Sequence, residues 1–135
     1  MRKVSGLIGI CTLVASVLTL AQAPTDLSPI MKDVSATQAS LRINMMNGAG
    51  PDVARDAARL QEDFTKAMGF FKAMKAQDAV DLSKANADAA GEIVKAARAN
   101  TLDAAKAPSE KIQKSCKSCH DLHREQLPDK SYRFK

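Results

Sequence analysis

The sequence predicts an all-α fold, an antiparallel four-helix bundle. Three observations predict it. Apolar residues recur every three or four positions along four segments. Short breaks separate those segments, at Asn47–Pro51, around Ala76-Gln77 and at Asn100-Thr101, and short connections favour antiparallel neighbours. No stretch alternates apolar and polar residues as a half-buried strand would. The 135-residue length fits one domain. Aromatic residues make up only 4% of the chain and Trp is absent. Such a composition buries little apolar area per residue, so a small domain of this kind often needs a staple.

Residues 1–23 have the layout of a cleaved secretory signal peptide. Arg2 and Lys3 form a positive start, Val4–Leu20 is a mostly apolar run, and small residues follow at Ala21 and Ala23. Cleavage falls after residue 21 or 23. Cys11 lies inside the apolar run and leaves with it. The run is slightly short for a retained membrane anchor. The mature domain is then 24–135, with periplasmic export of the bacterial type.

Helix one is expected over Asp26–Met46, with Leu27, Ile30, Met31, Val34, Leu41 and Met45 on one stripe. Asn47-Gly48-Ala49-Gly50-Pro51 breaks it. Helix two is expected over Asp52–Lys75. Its stripe of Val53, Ala57, Leu60, Phe64, Ala67, Phe71 and Met74 is the strongest periodicity in the chain. Asp78 is the candidate N-cap of helix three, Ala79–Ala99, whose stripe is thin: Leu82, Ala85, Ala89, Ile93, Ala96. Asn100 is a stop and Thr101 a new cap. Helix four is expected over Leu102–Glu125, kinked or restarted at Pro108, with Ile112, Cys116, Cys119 and Leu122 on its later stripe. Leu127–Lys135 is a short basic tail.

The chemistry sits in Cys116-Lys117-Ser118-Cys119-His120. Cys-x-x-Cys-His attaches a c-type haem: two cysteine sulfurs bond the porphyrin vinyl groups and the histidine ligates iron. On a helix, residues three and four apart share a face, so Cys116, Cys119 and His120 can act together. A disulfide would use the two cysteines alone. A zinc site recruiting Cys116, Cys119, His120 and His123 fails on geometry, because one straight helix cannot surround an ion tetrahedrally. A thioredoxin-like motif needs a strand-to-helix setting. The expected cofactor is therefore one covalently bound haem c.

The second axial position of the iron decides between electron transfer and gas binding. In an antiparallel bundle the start of helix one lies level with the end of helix four. Met31 is therefore level with His120 and could face the iron from the opposite side. Met45 lies about 21 Å along the helix from Met31 and belongs to the other end. Met68 and Met74 stay in contention, and core packing is the ordinary role of any methionine.

With these residues in view, the chain resembles the class II c-type cytochromes, the cytochrome c′ family. The motif lies near the C-terminus. Cys116–Arg124 is similar to that family's Cys-x-x-Cys-His-x-x-Tyr-Arg, and Leu27-Ser28-Pro29-Ile30-Met31-Lys32 is similar to its Arg-x-x-x-Met/Leu-Lys stretch. The resemblance implies a cytochrome c′-like bundle around the haem. Where the helix-one position is methionine, as at Met31, it implies a six-coordinate, low-spin electron carrier with His120 and Met31 on the iron. Its other branch is five-coordinate and binds nitric oxide or carbon monoxide. Two positions depart from the pattern: Leu27 replaces an arginine and His123 a tyrosine. His123 is either a titrating group near the porphyrin or an ordinary, partly exposed histidine. Arg124 matches the pattern.

The formal charge of +5 falls to about +3 once Arg2 and Lys3 are removed. No basic block interleaved with aromatics suggests nucleic-acid binding. Lys111, Lys114, Lys117, Lys130, Arg133 and Lys135 crowd the motif helix and tail. Such a set either steers an acidic redox partner or solvates an ordinary face. Relatives occur as monomers and dimers, so a homodimer is compatible with the resemblance. No acid–base pair or nucleophile marks an enzyme. The expected partners are redox proteins, with no stable membrane insertion after cleavage.

Overall fold

A computed structural model describes residues 26–135. Residues 1–23, expected to be a signal peptide, and Cys11 among them, lie outside the described residues. The chain is mainly helical: α1 (Ser28–Met46), α2 (Gly50–Ala73), α3 (Gln77–Arg98) and α4 (Lys106–His123), with a 3-10 turn at Leu102–Ala105 before α4. Two short strands, β1 (Arg124–Gln126) and β2 (Tyr132–Phe134), end it. Among the described residues no helix is long and apolar enough to cross a membrane.

Each break has a local cause. Gly48 takes a left-handed φ of 68°, and the turn after α1 closes through Gly48 N–H donating to Met45 C=O. Pro29 and Pro51 stand in the first turns of α1 and α2, where a missing N–H costs nothing. Asn100, with φ 55°, ends α3 as its stop. Pro108 does not kink a long helix. The 3-10 turn carries the chain to Lys106, and Pro108 falls in the first turn of α4. Asp78 is not the cap of α3. Ala76 occupies that position, and the Asp78 carboxylate accepts the Ala79 N–H from inside the first turn.

Consecutive helices pack: α1 on α2, α2 broadly on α3, and α3 on α4. The α2 stripe is buried as its spacing requires, through Phe71; Met74 lies beyond the helix end and is exposed. The thin stripe expected for α3 is corrected. Ala87, Ala90, Val94 and Ala97 join Ala89, Ile93 and Ala96 in the core, while Leu82 and Ala85 are only half-buried. α2 and α3 pack along much of their length, so even the methyl groups of α3 lose their water. Leu122, expected in the core, is exposed.

Polar groups lock α1 to α2. The buried Asp56 carboxylate accepts from Ser40 Oγ at 2.6 Å and from Asn44 Nδ2 at 2.8 Å. Arg59 reaches across to Asp33 and holds that carboxyl below its ordinary range. Asp63 is a contrast. It is buried, and its Oδ2 has no hydrogen-bond partner. Burial first, and the Asp33 charge second, push its pKa up. The unfolded chain ionises at an ordinary aspartate pKa of about 3.9, whereas the folded chain resists ionisation. The resulting loss of stability sets in as pH rises through that interval and persists at neutral pH. Asp63→Asn is expected to raise stability by about 1 kcal/mol at pH 7. Urea midpoints of variant and parent should converge near pH 2–3, where both side chains are neutral.

The C-terminal tail is folded into a hairpin, which the sequence reading did not anticipate. Arg124 pairs with Phe134, Glu125 with Arg133 and Gln126 with Tyr132. Asp129 shapes its turn by accepting from Ser131 N–H and Oγ–H. Helix four therefore stops at His123, where Arg124 turns to extended backbone.

Candidate functional site

Because α1 and α4 are not closely packed neighbours, a cavity of about 650 Å³ lies between them. This volume is in the range of cofactor and small-molecule sites. From α4, Cys116, Cys119, His120 and His123 line it, the residues of one helical face. Leu27, just before α1, and Met31 and Gln38 of α1 line the other side. Phe64, Phe70 and Phe71 of α2 and Leu82, Ser83 and Asn86 of α3 supply further wall, and the hairpin closes in with Tyr132 and Phe134. Met31, Cys116, Cys119 and His120, singled out from the sequence, therefore meet at one cavity. Met45, Met46, Met68 and Met74 do not line it; Met31 is its one methionine among the described residues.

The side chains have distinct environments. The cysteines are unpaired thiols. Burial pushes both thiol pKa values up, so they stay protonated rather than standing as reactive thiolates. Gln38 Nε2 donates to Cys116 Sγ at 3.3 Å and fixes that sulfur's orientation. His120 is shifted the other way. Burial first, then the Arg124 cation, hold its pKa below the ordinary value, so at neutral pH it is an uncharged imidazole with a free lone pair.

His123 has its own partners. Its Nε2 lies 2.8 Å from Asp78 Oδ2, and its ring stacks on Phe134 with centroids 5.1 Å apart. The neighbouring imidazole lowers the Asp78 pKa. This contact ties the start of α3, the end of α4 and the hairpin together. Phe134 also meets Phe70 edge-on at 5.9 Å and Phe71 at 5.2 Å. Arg124 stacks over Tyr132, its guanidinium carbon 4.1 Å from the ring centroid.

Sequence reasoning missed Gln38, Asn86, Phe70 and Phe134 as cavity residues. Phe134 carried a signal: it is the last aromatic of an aromatic-poor chain and alternates with Tyr132. Asn86 carried none, since a polar residue in a helix ordinarily faces water. Here it is buried, with Oδ1 unpartnered by protein.

Among the described residues, no three His, Cys, Asp or Glu side chains converge closely enough to hold a bare metal ion. The donors at the cavity are instead two imidazoles, of which His123 is engaged with Asp78, one thioether sulfur and two thiols among largely apolar walls. That set suits a large flat cofactor bringing its own metal. Compared with known proteins, the chain matches no family model, no curated protein and no solved structure.

Proposed function

We propose that this chain is an exported, single-haem c-type cytochrome that carries electrons between redox proteins. Its fold is then a cytochrome c′-like antiparallel bundle, released by cleavage after residue 21 or 23. The observation that carries the reading is the convergence of Cys116, Cys119, His120 and Met31 on one cavity of cofactor size. Cys116 and Cys119 would hold the haem through thioether bonds, and His120 and Met31 would ligate its iron. Bound there, the haem supplies a one-electron couple, and histidine–methionine ligation raises its potential.

The chain's own groups fit this work. The lowered pKa of His120 keeps its lone pair available for a metal, as ligation requires. Apolar walls from Phe64, Phe70 and Phe71 limit water at the cavity, and low local dielectric is a further lever on potential. Gln38 steadies Cys116 on the side from which Met31 approaches. Neither acid–base pair nor nucleophile is needed, and the reading is of a carrier rather than an enzyme.

Optical spectra of protein from a haem-maturation host test it. The expected result is covalent haem with a sulfur-to-iron charge-transfer band in the ferric form and little carbon monoxide binding in the ferrous form. Met31→Leu should abolish that band and open the ferrous protein to carbon monoxide. Ready carbon monoxide binding by the parent protein, with no band, would remove Met31 as ligand and leave the five-coordinate, gas-binding alternative. An unchanged spectrum in Met31→Leu would also remove it. Absence of haem absorption would sink both.

A further inference from the structure

Charge is divided unevenly along the chain. Residues 26–110 hold eleven Lys and Arg against twelve Asp and Glu, close to balance. Residues 111–135 hold seven against three. The ion pairs sharpen the division. Lys117 is paired with Asp121 and Arg133 with Glu125. Lys111, Lys114, Lys130 and Lys135 are all exposed and join no ion pair among the described residues. A surplus of uncompensated positive charge thus sits on outer α4 and the hairpin.

That surface also exposes apolar area. Leu122 is 58% exposed and Tyr132 47% exposed, two of the five large apolar side chains left most open to water. The hairpin is not a loose basic arm. Phe134 anchors it in the Phe70–Phe71 cluster, and Lys135 N–H donates to His123 C=O. Lys130 and Lys135 are therefore held beside the wall of the cavity, where Tyr132 and Phe134 lie. Exposed apolar groups among fixed charges of one sign are how a transient protein interface gains both contact and steering.

We propose that the hairpin and outer α4 are the docking surface for a protein with an acidic surface, which exchanges electrons with this chain across the hairpin wall. The inference rests on the cytochrome reading. Positive potential concentrated at the point of electron exchange draws the acidic partner in and orients it, and salt weakens the effect.

The test uses the haem-loaded protein and two double charge reversals. Lys130→Glu/Lys135→Glu alters the hairpin. Lys95→Glu/Arg98→Glu makes the same charge change at the far end of α3, beyond the cavity residues Leu82–Asn86. Ferricyanide, a trianion, oxidises the ferrous protein while ionic strength is varied. The hairpin variant should lose about tenfold in rate at low salt and converge with the parent at high salt, while the α3 variant stays within about twofold. Equal losses in both would overturn the proposal, since net charge alone would then explain them. Titration with poly-L-glutamate should show salt-sensitive binding that the hairpin variant loses. Hairpin-dependent binding to phosphatidylglycerol vesicles with none to poly-L-glutamate would overturn it in favour of a membrane surface. Protein without haem would refute the electron-transfer reading and this proposal together; haem-loaded protein with a flat salt response refutes the proposal alone.

Discussion

Phe71→Ala should lower the unfolding free energy by about 3–5 kcal/mol, read as a shift in urea midpoint with little change in slope. Phe71 is 2% exposed and the largest of the fully buried side chains. Truncation removes its apolar area and leaves a hole that the helices fill only in part. The residue has no redundant neighbour. Phe70 meets it edge-on at 5.5 Å, and Phe134 leans on it from the hairpin, so both lose a face of their packing. A domain of this size has about 5–15 kcal/mol in total, so the change removes a large share of it. The hairpin should loosen first, because Phe134 is its main anchor in the core. Earlier proteolytic cleavage after Lys130 or Arg133 than in the parent would report this. A loss of unfolding free energy below about 1 kcal/mol would mean that Phe71 is not the joint between core and cavity.

The four helices were legible where one large apolar side chain per turn marks the buried face. Val53, Leu60, Phe64 and Phe71 do this in α2, and the structure buries all four. Legibility failed where burial is done by small groups. Ala87, Ala90 and Ala97 carry too little apolar area to mark a stripe, yet the packing of α3 against its neighbouring helices excludes water from them. It failed again at Leu122, because an apolar residue at helical spacing looks the same whether it meets the core or a partner. The hairpin escaped notice because three-residue strands are too short for alternation to stand out, and Phe134 gains its place only by tertiary contact.

Of the candidate site, the α4 face was readable, since spacing alone puts Cys116, Cys119 and His120 together. Met31 could be singled out only through the antiparallel order of the helices and a family pattern. The structure brings it to the same cavity as the α4 residues. What the sequence hid were the residues that tune the cavity. Gln38, Asn86 and Phe134 come from three different elements, and no local spacing links them.

Replacing both cysteines, Cys116→Ala/Cys119→Ala, should give a chain with no haem retained after denaturation, judged by haem stain on a denaturing gel. The same variant should lose cooperative folding. Leu27, Met31 and Phe70 line the cavity while only half-buried, and the rest of their cover would come from the cofactor. Each of these three gains on the order of 1 kcal/mol from being covered, a few kcal/mol together, which is a large share of the stability of a small domain. The two substitutions themselves cost little, because both thiols are only half-buried and Gln38 offers Cys116 one weak hydrogen bond. Most of the loss would therefore come from the missing cofactor rather than from the missing sulfurs. The α2–α3 pair, rich in core contacts that the cavity does not interrupt, should keep its helices. The expected product is a chain with much of its far-UV helical signal, a broad thermal transition and enhanced binding of a hydrophobic dye. A sharp transition at the temperature of the haem-loaded parent would show that the four helices need no staple.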